Sequence, residues 1–119
     1  MSEPRTWQLF EADTGRVLVA RLEIANTFWR RFVGLQFRRS LAADSGLLLT
    51  RCNAIHTFCL RFPIDVTYLN AANEVIAVRQ NVPPWRVLGP FRNAQTIVET
   101  PAGQVEFELG RMLRWQERA

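Results

Sequence analysis

The side chains best suited to chemistry crowd into one stretch, Cys52-Asn53-Ala54-Ile55-His56-Thr57-Phe58-Cys59-Leu60-Arg61-Phe62-Pro63-Ile64-Asp65-Val66. It holds the only histidine, both cysteines, an arginine and an aspartate. Pro63 interrupts any regular element there, so these groups can be aimed at one spot. Cys52, His56 and Cys59 are three soft ligands, with Asp65 a possible fourth, and zinc accepts such a set. A strand would send Cys59 to the face opposite Cys52 and His56. Small buried cysteines are the alternative, so no metal or other cofactor is expected. A Cys–His nucleophilic pair needs a thiol activated by positive surroundings. His56 and Asp65 can also work as an acid–base couple, or the imidazole can simply pack. Arg61 and Asp65, either side of Pro63, can pair with each other.

A second group lies between Pro83-Pro84 and Gly89-Pro90, where Trp85 and Arg86 share a loop. An exposed tryptophan beside an arginine suits a flat or anionic ligand. A lid over the core is the plainer reading. The candidate ligand-binding set is therefore His56, Thr57, Arg61, Asp65, Trp85 and Arg86. Glu99, inside a strand-like run, either faces solvent or answers an arginine.

The elements that must position these groups are mostly short strands. Trp7–Glu11 and the alternating run Arg16–Ala25 flank Asp13-Thr14-Gly15 and read as a hairpin. Asn26 or Thr27 can cap a helix in which Phe28, Phe32 and Leu35 share a face. Leu47–Leu49 reads as a buried strand. Ile64–Leu69 and Val75–Val78 form a second hairpin, and Thr96–Thr100 is a further strand ended by Pro101-Ala102-Gly103. Val105, Phe107 and Leu109 alternate as a strand would. The expected fold is α+β, mainly antiparallel β: a compact sheet or partly closed barrel with one or two short helices.

Bulk properties bound the function. A chain of 119 residues makes one domain, 1–119, with a real core. No apolar run approaches the ~18–20 residues of a membrane span, and the N-terminal residues do not resemble a signal peptide. A cytoplasmic location, reduced thiols and no membrane partner are expected. All 15 basic residues are arginine, giving a net charge of +4. Coding bias accounts for this, although arginine also forks onto phosphate and carboxylate. The arginines are scattered, so no specific nucleic-acid partner is expected.

Several of these stretches together resemble the DUF 192 family of bacteria and archaea, a domain of unknown function. The resemblance runs from about Thr27 to Trp115. It rests on Arg31-Phe32-Val33-Gly34-Leu35-Gln36-Phe37-Arg38, on Gly46-Leu47-Leu48-Leu49, and on Ile55-His56-Thr57-Phe58 followed by Arg61-Phe62-Pro63-Ile64-Asp65-Val66. Pro84-Trp85-Arg86 and Ile97-Val98-Glu99-Thr100-Pro101-Ala102-Gly103 extend it. Gln36, Leu47 and Leu60 stand where the family carries methionine; the leucines keep volume and apolarity. The resemblance implies a small β-rich fold, and the protein is expected to be bacterial. It implies no activity. The function expected is noncatalytic binding of a small polar or anionic ligand, or of a protein partner. The alternatives are a hydrolase using His56 and Asp65, or weak arginine-mediated nucleic-acid binding.

Overall fold

The structure is a computed structural model and describes residues 5–36 and 38–118, without the side chains of Phe28, Trp29 and Val33. Its strands are β1 (Trp7–Glu11), β2 (Val17–Ala25), β3 (Ser45–Thr50), β4 (Ile55–His56), β5 (Ile64–Leu69), β6 (Val75–Val82), β7 (Val87–Leu88), β8 (Thr96–Pro101) and β9 (Leu113–Glu117). The helix α1 covers Phe28–Val33. Seven strands form one sheet in the order β6-β5-β8-β3-β2-β1-β9, while β4 and β7 pair separately.

Both expected hairpins form. β1 pairs with β2 and β5 with β6, each antiparallel. The β2–β3 pair is parallel, with Leu22 opposite Gly46 and Ile24 opposite Leu48. Parallel neighbours need a crossover connection. Residues 26–44 supply it and carry α1 over one face of the sheet. Thr27 caps α1, its Oγ1 accepting from the Arg30 N–H at 3.2 Å. Gly34 ends it at φ 52° and ψ −126°, a conformation open to glycine and costly for other residues.

Period-two alternation gives the sheet two apolar faces. Leu9, Val19, Leu22, Leu48, Leu69, Val75, Val98 and Leu113 pack together on one. The sheet curls around them until its outer strands meet at one bridge, Glu74 to Met112, flanked by Val75 N–H to Arg111 O at 2.9 Å. Leu47, Leu49, Val66, Tyr68 and Ile97 lie on the other face. There Leu35, Ile55, Leu60 and Ala94, contributed by the connections, cover them.

Three expectations are corrected. The architecture is mostly β, with one six-residue helix among the described residues, rather than α+β; the pairing is mainly antiparallel, with β2–β3 the parallel exception. The sheet is not a closed barrel: β6 and β9 remain its outer strands, and their ends touch at the Glu74–Met112 bridge and the adjoining Val75–Arg111, Gly110–Val75 and Leu113–Asn73 hydrogen bonds. The alternating residues at 105–109 form no strand; β9 begins at Leu113. In the helix region Leu35 is buried, but Phe32 is 53% exposed, so the expected apolar face is broken. The side chain of Phe28 lies outside the described residues.

Candidate functional site

Between the sheet and the α1 crossover lies a cavity of about 210 Å³. Arg31, Phe32, Gly34, Leu35 and Gln36 form its roof. Cys52, Ala54, Ile55, His56 and Leu60 form one wall, and Glu99 of β8 forms part of the floor. The walls are mainly apolar, and a few polar groups converge on them. That is the usual make-up of a small-molecule site, at less than the ~300 Å³ that drug-sized ligands need.

Glu99 occupies the middle of the sheet. It pairs with Leu47 of β3 and Val66 of β5, and alternation points it the same way as Ile97, toward the roof. It is 4% exposed, and among the described residues no hydrogen bond reaches its carboxyl. Burial pushes that carboxyl up to about 8, against the weaker pull of the Arg38 guanidinium. Arg38 is held by Glu23 at 2.7 Å. Glu99 is therefore a neutral acid at neutral pH, able to donate as well as accept. A Cβ placed on Gly34 would stand 4.0 Å from Glu99 Oε2, so the helix terminus sits directly over the carboxyl.

His56 is half-buried on the wall. Its Nε2 lies 3.4 Å from Gln36 Nε2, and its Nδ1 lies 3.3 Å from the Phe58 N–H. A neutral imidazole has one acceptor nitrogen, so only one of these two donors is bonded in either tautomer. Gln36 Nε2 also donates to Phe32 O at 2.8 Å. The His56 ring belongs to a row: Phe32 meets it edge-on at 5.6 Å, Phe58 lies 4.9 Å away, and Trp85 lies 5.7 Å beyond Phe58.

Cys52 donates its thiol to Ala54 O at 3.1 Å. Burial, aided by Glu99, raises the thiol, against the Ala54 hydrogen bond and Arg31. The group therefore stays a thiol at neutral pH and is not the activated nucleophile a Cys–His pair requires. Among the described residues no three of His, Cys, Asp and Glu are placed to hold a metal ion.

Of the six candidate residues only His56 lines the cavity. Thr57 is fully buried beside it and works as a clamp. Its Oγ1 donates to Pro83 O and accepts from the Arg86 N–H, both at 2.8 Å, and its own N–H donates to Arg86 O at 2.8 Å. This pins the 83–86 loop to the 55–60 segment. Trp85, 63% exposed, stands at the end of the aromatic row rather than over the core. Arg86 and Arg61 are exposed.

Asp65 is elsewhere. It alternates with Ile64 and Val66, which face the cavity side, so its carboxylate emerges on the opposite face of the sheet. Opposite it the β5–β6 register shifts, leaving Gln80 and Asn81 against one residue. Oδ1 accepts the Asn81 N–H at 2.8 Å, and Oδ2 accepts the Gly103 N–H at 3.0 Å. No ion pair joins it to Arg61, and the expected couple with His56 does not form.

Glu99, Gln36, Arg31 and Cys52 replace the missing members of the site. The sequence did carry a signal for Glu99: a charge in the middle of a β-branched strand, in phase with Ile97.

A curled mixed sheet thus defines a β-rich fold with a small roofed cavity on one face, apolar-walled and lined by a few polar groups. The chain belongs to the DUF192 family, described as “Uncharacterized ACR”, whose profile matches residues 10–115. It is 37% identical over 113 residues to a UPF0127 protein of Pyrococcus furiosus, covering 90% of this chain and 97% of that one. It is 34% identical over 115 residues to a UPF0127 protein of Thermococcus sibiricus, covering 91% and 74%. These relatives are archaeal, which corrects the expectation of a bacterial chain. The fold is similar to that of a crystal structure from Novosphingobium aromaticivorans, a protein of unknown function, with a TM-score of 0.78, 18% identity and coverage of 92% and 84%. It is equally similar to a Sinorhizobium meliloti protein described as a candidate transcription regulator, with a TM-score of 0.78, 22% identity and coverage of 93% and 92%. Among the described residues no helix is long and apolar enough to cross a membrane.

Proposed function

We propose that this protein is a binding module that takes a small polar ligand into the cavity beneath α1. One observation carries the reading: the Glu99 carboxyl is buried at the cavity floor without a hydrogen-bond partner among the described residues. A ligand that bonds this carboxyl gains a hydrogen bond in a site largely shielded from bulk water, where such bonds are stronger. Proteins keep such groups where something binds or reacts. The hydrolase alternative loses support, because Asp65 lies across the sheet from His56. The same reading has the protein acting in the cytoplasm as one domain over residues 1–119, with no specific nucleic-acid partner.

A set of small polar compounds titrated into isotope-labelled protein tests the reading by NMR. The expected result is saturable shifts confined to the amides of Gly34, Leu35, Gln36, Ile55 and His56. If no compound moves those amides, the cavity is a packing defect and the proposal fails.

A second reading, a protein partner, is favoured by the aromatic row. Phe32, Phe58 and Trp85 are all exposed beside the pocket mouth. Truncating Trp85 to alanine would weaken such a partner and leave small ligands in the cavity unaffected.

A further inference from the structure

The geometry points to a short-chain carboxylate as the occupant of this cavity, its head between Arg31 and Glu99 and its tail against Leu35, Ile55 and Leu60. This rests on the cavity being a ligand site and names the class of ligand. Arg31, on α1, lines the cavity and has no ion-pair partner among the described residues. Its neighbour Arg30 is paired with Glu23, as is Arg38. Among the described residues Arg31 is thus the one cavity-lining guanidinium, and its planar fork fits a carboxylate. Glu99, neutral at neutral pH, adds an O–H donor and no charge. The lining therefore carries the net positive charge of Arg31, which favours an anion over a cation or a neutral amide.

Size sets the rest. About 210 Å³ holds roughly seven water-sized groups. A carboxylate with a tail of a few carbons fills it, and a peptide or nucleotide does not enter.

The groups facing Glu99 settle the pH response. Arg38 attracts its charged form, Arg31 lines the same cavity, Cys52 stays a neutral thiol, and His56 shares the wall. Once Glu99 ionises it repels a bound carboxylate, so affinity falls about tenfold per pH unit above about 8.

The test uses propionate, propionamide and propylammonium, titrated separately into the full labelled chain at about pH 6.5. Propionate should shift the Gly34, Gln36 and His56 amides saturably, at least about tenfold more tightly than the other two probes. Arg31→Ala should weaken propionate about tenfold. Glu99→Gln keeps a donor at the floor, so it should bind propionate at pH 6.5 but lose the decline above pH 8. Equal or tighter binding of propionamide or propylammonium at the same amides overturns the carboxylate and leaves the pocket standing. Silence from all three probes overturns both. Propionate shifts scattered over surface arginines, or unchanged affinity in Arg31→Ala, also overturn the carboxylate.

Discussion

Glu99 and Gly34 face each other across the cavity, the carboxyl of one lying beneath the helix terminus formed by the other. The positive φ of Gly34 ends α1 early and turns Leu35 and Gln36 down over the sheet. The same turn closes off water from Glu99, and that burial is what raises its carboxyl.

Stability should therefore depend on pH through Glu99. Its folded value, about 8, lies above the ordinary 4.5, so the folded state holds a proton that the unfolded state has released between the two. The contribution is full below about pH 4.5 and is lost as pH rises through about 8. We expect Glu99 to remove on the order of 3–5 kcal/mol between about pH 5 and about pH 9. Urea denaturation of the parent and Glu99→Gln across that range checks it. The difference between the two proteins should grow with pH; a constant difference would mean that Glu99 is ionised throughout.

Asp65 is expected to matter for stability and not for the pocket. Asp65→Ala orphans the Asn81 and Gly103 N–H groups and should cost roughly 2–5 kcal/mol. Propionate binding by the folded fraction should be unchanged, because the residue faces away from the cavity. Denaturation and the NMR titration read these two outcomes separately.

Thr57 holds the aromatic row in place. Thr57→Val keeps the volume but removes a donor to Pro83 O and an acceptor for the Arg86 N–H. A loss of roughly 1–3 kcal/mol is expected. The Trp85 indole resonances should sharpen as the 83–86 loop is released, while unchanged Trp85 spectra would show that the backbone hydrogen bonds hold the loop alone.

His56 and Leu60 line the same wall and should separate cleanly. The ring of His56 makes only long contacts, so His56→Ala should cost less than about 1 kcal/mol. Leu60 is 6% exposed within the apolar cluster, and Leu60→Ala should cost about 2–5 kcal/mol. Comparable midpoint losses for the two would make the imidazole structural.

The sequence by itself determined the local elements. Alternation marked β2, β-rich runs marked β5, β6 and β8, and turn residues marked the two hairpins, because strand composition and glycine or asparagine turns are written in neighbouring residues. It also singled out His56, the only histidine, at the true cavity wall. The tertiary structure alone decided which side chains converge. Asp65 is nine residues from His56 in the chain, but the pleat puts it on the far face, beside a bulge whose N–H it satisfies. Glu99 is 43 residues from His56, and strand order brings its face beneath α1. The parallel β2–β3 pair was likewise hidden, since no local pattern records which distant strand a crossover returns to. Those decisions depend on strand order and facing, which are set by long-range burial rather than by any window of sequence.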